Sequence, residues 1–123
     1  MAERLMVNQP YGKVLLHSVA NVAITVAGNN ATSNIATTTE VVQSATIRRV
    51  WWSGAANWFV KRGSNTVLIL APGTEQFLDL MGEGASMSLD AAATINCTCT
   101  DTANSFIMLE LGKTSSNSSA IYD

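Results

Sequence analysis

Residues 47–71 constrain the fold of this chain more than any other stretch. Turn signals at residues 53–54 and 62–65 divide the stretch into three runs that are rich in β-branched and aromatic residues and short enough to be strands. Apolar residues occur on both alternating faces of the first run, which favours a strand that is covered on both sides. The sequence therefore predicts a three-stranded meander here, within a fold built from β-strands.

Short alternating runs continue on both sides of this meander. Residues 41–52 predict one long strand with a bulge near Ser44, and residues 74–80 predict a fourth strand adjacent to the meander. Further strands are predicted at residues 13–19, 22–27, 86–89, 94–100 and 105–111. About eight or nine short strands without an amphipathic helix predict an all-β antiparallel sandwich, most simply a jelly roll. Its predicted core includes Ile95, Cys97, Val67, Ile69 and Leu109.

The two ends of the chain differ from its middle. Residues 1–12 predict an irregular N-terminal arm, and residues 113–123, with four serines, predict a flexible C-terminal tail. Between them, residues 13–112 form a single predicted sandwich domain, as expected for a chain of 123 residues. Arms and tails of this kind become ordered when they bind a neighbour, so we expect both ends to contact other subunits.

The composition limits the possible partners. Charged residues are only 13% of the chain, against about a quarter in typical globular domains. A surface this poor in charge indicates that another protein covers part of it. The net charge of −2 excludes the basic surface that binds nucleic acid, and the length suffices for a core without a metal, a cofactor or a disulfide.

No group of residues indicates catalysis, so we predict that the chain is not an enzyme. The triplet Gly112-Lys113-Thr114 resembles the end of a phosphate-binding loop, but Ile107 stands where its first glycine belongs. The only histidine, His17, has no neighbouring nucleophile and predicts a partly buried side chain. Four carboxylates match no calcium loop, and we expect them at solvated turn ends: Glu75, Asp79, Glu83 and Asp90.

The cysteines and the N-terminus bear on the cellular compartment. Cys97 and Cys99 share one face of a predicted strand, and we expect both to remain buried thiols. The N-terminus has no signal-peptide pattern, and no run approaches the length of a membrane span. The sequence therefore predicts synthesis in a cytoplasmic compartment and no association with a membrane.

The tryptophans and arginines of residues 47–71 are the candidate interface residues. Trp51, Trp52 and Trp58 are typical of core or interface anchors, and they could also form a platform on which sugar rings stack. Four basic residues in this stretch predict a local positive patch at the rim of a protein contact: Arg48, Arg49, Lys61 and Arg62. The sequence thus predicts an interface that includes the three tryptophans and the three arginines.

Three runs within residues 46–113 resemble a known group of proteins. They begin at Arg49 (RVWWSG), at Trp58 (WFVKRGSNTVL) and at Phe106 (FIMLELGK). Together they resemble small virion proteins of tailed bacteriophages from marine and cyanobacterial hosts. The resemblance implies a β-sandwich on the virion surface that binds the major capsid protein from outside and stabilises the capsid as a decoration or cement protein.

The composition also predicts a homo-oligomer, because a sandwich with so few charges and three tryptophans in one meander exposes more apolar surface than a monomer tolerates. The resemblance implies that this oligomer is a homotrimer, since local three-fold positions of capsids are natural docking points. The alternative is a carbohydrate- or receptor-binding sandwich module on a tail or head fibre, because such a module would use the same fold and the same tryptophans.

Overall fold

The structure of the protein, a computed structural model, describes residues 3–81, 91–101 and 105–117. Strands fill most of these ranges, and no α-helix occurs within them. In chain order the strands are β1 (Glu3–Asn8), β2 (Lys13–Ser18), β3 (Val22–Ile24), β4 (Glu40–Gly54), β5 (Trp58–Arg62), β6 (Asn65–Leu70), β7 (Gly73–Asp79), β8 (Ile95–Cys99) and β9 (Phe106–Asn117).

The strands from β2 to β9 form four nested antiparallel pairs. β5 pairs with β6, β4 with β7, β3 with β8 and β2 with β9, as though one long hairpin had been rolled up around the β5–β6 turn. The rolled pairs lie in two sheets, one of five strands in the order β1-β2-β9-β4-β7 and one of four in the order β3-β8-β5-β6. This connectivity is that of a jelly roll, so the predicted all-β sandwich is confirmed.

The core lies between the inner faces of the two sheets. Along β2, β5 and β8 buried residues alternate with partly exposed ones, as expected for strands that face a core on one side. Inner residues of the five-stranded sheet include Leu16, Leu109 and Val50, which lie in register across three strands. Of the predicted core residues, Ile95, Cys97 and Leu109 are fully buried, and Val67 packs against the core.

Two local predictions for the central strands are confirmed. The long strand β4 has its predicted bulge, since the register with β9 shifts between Val42 and Ser44. β5 and β6 form a hairpin whose turn residues are Gly63 and Ser64. Gly63 has a φ of 62°, the left-handed conformation that a two-residue hairpin turn with glycine at its first position requires.

The predicted meander is wrong beyond this hairpin. β4 pairs with β7 and β9 instead of β5, and β7 pairs with β4 instead of β6. The chain crosses between the sheets after Gly54 and again near Pro72, at turn signals that the sequence assigned to hairpins. The physical reason is the burial of two large indoles. Crossing places Trp52 and Trp58 on facing sheets, so that both side chains point into one core.

The predicted arm and tail also differ from the structure. Residues 3–8 form β1, which pairs along its length with β2 at the edge of the five-stranded sheet. β9 continues through Lys113 to Asn117 and pairs there with the first residues of β4. The backbone hydrogen bonds of these ladders hold both segments within the domain. The remainder of the predicted tail, residues 118–123, lies outside the described residues.

One predicted core residue is wrong. Ile69 is 62% exposed, because the inner face of β6 is formed by Leu68 and Leu70. All residues from Val67 to Leu70 are apolar, so alternation alone did not show which of the two sets faces inward. The strand predicted at residues 86–89 lies outside the described residues.

Candidate functional site

The outer face of the five-stranded sheet carries a continuous row of large side chains. The register places His17 beside Met108, Met108 beside Trp51 and Trp51 beside Phe77, across four neighbouring strands. Phe106 extends this row, because its ring stacks on His17 with 5.8 Å between the ring centroids. We call these five residues the outer row. Alternation turns all of them away from the core.

The outer row is accessible at one end. Phe77 is 50% exposed, and its ring centroid lies 5.3 Å from that of Trp51 at an interplanar angle of 33°. Trp51, His17, Phe106 and Met108 are half-buried by one another. This tilted aromatic pair is a rigid apolar surface, because β4, which carries Trp51, is paired with β9 and β7, and the edge strand β7, which carries Phe77, is paired with β4.

A charged row lies beside the outer row on the same face. The Arg49 guanidinium donates to the Glu110 carboxylate with Nη1 and Oε2 2.8 Å apart, and its Nε lies 3.8 Å from Asp79 Oδ2. The three residues are in register across β9, β4 and β7. The contact of Arg49 with Asp79, whose side chain is 50% exposed, contributes only about 0–1 kcal/mol to stability, whereas Glu110 is only 10% exposed. Their mixed charge is better suited to orienting a partner than to holding the fold.

Three of the six predicted interface residues lie inside the molecule. Trp58 is fully buried and Trp52 is 8% exposed, so both are core residues rather than interface anchors. Their indole N–H groups are satisfied within the chain. Trp58 Nε1 donates to the Ser53 carbonyl oxygen at 3.0 Å, and Trp52 Nε1 donates to that of Ala71 at 2.9 Å. Only Trp51, the third tryptophan, lies on the outer face.

The third buried residue is Arg62, and its burial removes it from the predicted positive patch. Its guanidinium donates to the carbonyl oxygens of Ala45 at 2.8 Å, Ala91 at 2.5 Å and Ala93 at 3.2 Å, and so ties residues 91–93 to β4. Arg49 is occupied by its two carboxylates, and the Arg48 guanidinium lies against the backbone of Gly112. The three arginine side chains therefore lie in different environments and form no common patch.

A buried ion pair was missed by the sequence-based interpretation. The Glu40 and Lys113 side chains are both fully buried, and Lys113 Nζ donates to Glu40 Oε1. Lys113 Nζ also donates to Asn8 Oδ1 at 2.7 Å and to the Ile35 carbonyl oxygen at 2.9 Å. Four separate segments thus meet at this pair: the end of β1, the loop before β4, the start of β4 and β9.

The carboxylate of Glu40 is satisfied by further donors. The backbone N–H of Thr37 donates to Oε1 and that of Tyr11 to Oε2, both at 2.9 Å. Tyr11 adopts the left-handed conformation with a φ of 57°, which costs a non-glycine residue about 1 kcal/mol or more. Its hydroxyl donates to the Thr39 carbonyl oxygen at 2.6 Å. These bonds hold the β1–β2 turn against the start of β4.

The sequence contains a signal for this pair. Ile107, Leu109 and Leu111 alternate on the inner face of β9, and the same period places Lys113 on that face. Glu40 likewise stands two residues before the buried Val42. Charged residues are rarely buried, so alternation alone does not predict an inward position for Glu40 or Lys113.

Burial of Glu40 and its hydrogen bonds act in opposite directions on its pKa. Burial alone raises the pKa, but the hydrogen bonds from Lys113, Thr37 and Tyr11 favour the ionised form more strongly. The net effect lowers the pKa of Glu40 from 4.5 to about 2. The carboxylate therefore stays ionised in the folded protein at pH values where an unfolded chain would bind a proton.

We expect the protein to lose stability as the pH falls from 4.5 towards 2. Above pH 4.5 the contribution of Glu40 to the free energy of unfolding is fully present, because its carboxylate is then ionised in both the folded and the unfolded chain. Below pH 4.5 the unfolded state binds the proton first, which lowers the free energy of unfolding by an amount on the order of 3 kcal/mol over the window.

Denaturant unfolding of the wild type and of Glu40→Gln at several pH values measures this contribution. The variant should be less stable at neutral pH and should lose less stability between pH 4.5 and 2. Equal slopes for the two proteins would show that Glu40 is not the group responsible.

The other candidate residues for chemistry are scattered or inert. Cys97 and Cys99 are free thiols, as predicted, and burial raises the pKa of Cys97 to about 12, which makes its thiolate inaccessible. Within residues 3–81, 91–101 and 105–117, no group of three or more metal-binding side chains comes together. Asp79 lies beside Arg49, whereas Glu83 and Asp90 fall outside the described residues, as does the side chain of Glu75.

Comparisons of the chain with protein-family models, with curated proteins and with solved structures found no match. In the part of the chain that the structure describes, no helix has the length and hydropathy needed to cross a membrane. The outer row and its neighbouring charges are therefore the observations from which a function can be argued. A rigid apolar row beside paired charges can bind a protein surface or a sugar chain.

Proposed function

We propose that this chain is a non-enzymatic structural protein of a phage virion. In this proposal it binds the major capsid protein from outside the particle and stabilises the shell as a decoration or cement protein. The observation that carries the proposal is the outer row, with Trp51 and Phe77 side by side on a rigid sheet. Aromatic and methionine side chains are enriched at the energetic centres of protein interfaces, and charged residues at their rims.

The position of the resembling runs supports this assignment. Two of the three runs, those that begin at Arg49 and at Phe106, form the paired strands β4 and β9 at the centre of the outer row. They supply Trp51, Phe106 and Met108 to the surface, and Arg49 and Glu110 to the charged row. The residues on which the resemblance to phage virion proteins rests therefore coincide with the candidate binding surface.

The mechanism that we propose depends on the area of contact with the shell and needs no catalytic reaction. A protein that binds the assembled shell and not its separated subunits stabilises the shell by mass action. The arm and tail were expected to lock onto neighbouring subunits, but residues 3–8 and 113–117 lie in the protein's own sheet. We therefore assign capsid contact to the sheet face. The homotrimer rests on the resemblance alone, and we retain homo-oligomerisation as part of the proposal.

A second candidate function is a carbohydrate- or receptor-binding module of a fibre. The tilted pair of Trp51 and Phe77 favours it, because sugar rings pack on aromatic faces, and Arg49 and Asp79 could hydrogen-bond to hydroxyl groups. Binding of the purified protein to a glycan array, together with density on fibres, would support this candidate against the capsid.

Truncation of Trp51 tests the proposal directly. We expect Trp51→Ala to weaken binding to particles that lack the protein by at least about 2 kcal/mol, or roughly 30-fold, because the row loses its largest side chain. Val19→Ala is the matched control. Val19 is an exposed apolar residue at 53%, and it lies outside the strands that form the row.

Occupancy on the shell is measured by cryo-electron microscopy after titration with each variant. Reduced occupancy for Trp51→Ala and wild-type occupancy for Val19→Ala is the expected result. Full occupancy for both variants would contradict the assignment of the outer row, and density on fibres alone would contradict the capsid itself.

A further inference from the structure

β6 is an edge strand with unusual composition. It pairs with β5 on one side and is the last strand of the four-stranded sheet among the described residues. Within those residues, the backbone N–H and C=O groups of residues 66–70 along its other side therefore face away from the sheet. Its six residues, Asn65–Leu70, include no charge and no proline. Ile69 is 62% exposed on its outer face. Uncharged, β-branched strands of this length pair readily with another strand.

The other three edges carry the features that prevent such pairing. β3 has only three residues. β1 contains two charged residues and has a register shift against β2, while β7 follows a proline and contains two carboxylates. Short length, charge, proline and bulges are the usual means by which proteins protect sheet edges. Of these protective features β6 has only one, a register shift against β5 that lies opposite Val60 and Lys61.

We propose that β6 is a self-association edge, which pairs antiparallel with β6 of a second copy of this chain about a two-fold axis. A strand that meets its own copy across a two-fold axis runs antiparallel to it, so the two four-stranded sheets join into one of eight strands. No like charges meet across this contact, because the strand has none. Ile69, which is 62% exposed, meets the outer-face side chains of the second copy and leaves water at this contact.

This contact is independent of the capsid proposal. The β6 edge belongs to the four-stranded sheet, whereas the outer row lies on the five-stranded sheet. A dimer formed through β6 therefore leaves the outer row of each copy free to bind another surface. The two-fold contact predicts dimers, in contrast to the trimer that the family resemblance implies.

A lysine on the edge tests the inference, because lysine is a natural means of blocking edge pairing. We expect the wild-type protein to dimerise at micromolar concentration in sedimentation velocity, and Ile69→Lys to raise the dimer dissociation constant by about tenfold or more. Val19→Lys is the matched control, because Val19 is 53% exposed, Ile69 is 62% exposed, and Val19 lies outside the strands. This variant should dimerise like the wild type.

Hydrogen exchange of the wild-type protein supplies a test that needs no variant. The amides of residues 65–70 should exchange more slowly at high protein concentration than at low concentration, while those of the outer row should not change. A wild-type monomer at every concentration tested, or an oligomer that leaves the exchange of residues 65–70 unchanged, would overturn the inference. Capsid binding plays no part in either measurement. A monomer would overturn this inference and the homo-oligomerisation retained above, but it would leave the assignment of the outer row to the capsid untouched.

Discussion

Replacement of Lys113 by methionine should lower the free energy of unfolding by about 3–5 kcal/mol. The methionine fills a similar volume, but it leaves the buried Glu40 carboxylate without its cationic partner. Asn8 Oδ1 and the Ile35 carbonyl oxygen lose their donor as well. Domains of this size have a total stability of about 5–15 kcal/mol, so denaturant unfolding should show a large shift of the midpoint.

The matched control is an ion pair on the surface of the same sheet. Arg49→Met removes the cation that lies beside Glu110 and Asp79. The Arg49 and Asp79 side chains are 35% and 50% exposed, whereas that of Glu110 is 10% exposed, so this site is wetter than the fully buried pair. We expect a smaller cost than for Lys113→Met, about 1–3 kcal/mol, because only the Glu110 carboxylate is left with little water. Replacing both Glu40 and Lys113 by apolar residues should cost less than Lys113→Met alone, because no unpaired charge remains. Equal losses of unfolding free energy for Lys113→Met and Arg49→Met would contradict the claim that full burial makes the Glu40–Lys113 pair the more important of the two.

Much of this fold could be predicted from local patterns. Alternation over residues 94–100 and 41–52 indicated the strands β8 and β4, and the latter has its bulge close to Ser44. The partners of the strands were harder to infer. β2 pairs with β9 and β3 with β8 across most of the chain, and a turn signal such as Pro72-Gly73 does not distinguish a hairpin from a crossing between sheets. Pairing depends on which faces can share one core.

The candidate site could be predicted only in part for the same reason. The outer row joins His17, Trp51, Phe77 and Met108 from four strands that are distant in sequence, and only the pairing of those strands brings them together. Of these residues the sequence-based prediction included Trp51 alone. The buried pair of Glu40 and Lys113 is different, because local alternation along β9 already places Lys113 on the inner face. Predicting it from the sequence would require accepting a charged residue at a buried position.

Trp58→Ala should lower the free energy of unfolding by about 3–5 kcal/mol. The side chain is fully buried, and its cross-strand neighbours are Leu70 and Cys99, so truncation leaves a cavity that a sheet held on both sides cannot close. The Ser53 carbonyl oxygen also loses the indole donor at the point where the chain crosses between the sheets. Thermal or denaturant unfolding of the purified variant measures the loss.

Trp51→Ala is the control that separates the two tryptophans. Trp51 is half-buried and contacts Phe77 on the outer face, so its truncation should cost only about 1 kcal/mol of stability. If Trp58→Ala instead unfolded at the same denaturant concentration as Trp51→Ala, its side chain would not lie in the core, and the crossing of the chain after Gly54 would be wrong. The expected difference arises because the Trp51 side chain faces outward from its sheet, whereas the Trp58 side chain faces the core between the two sheets.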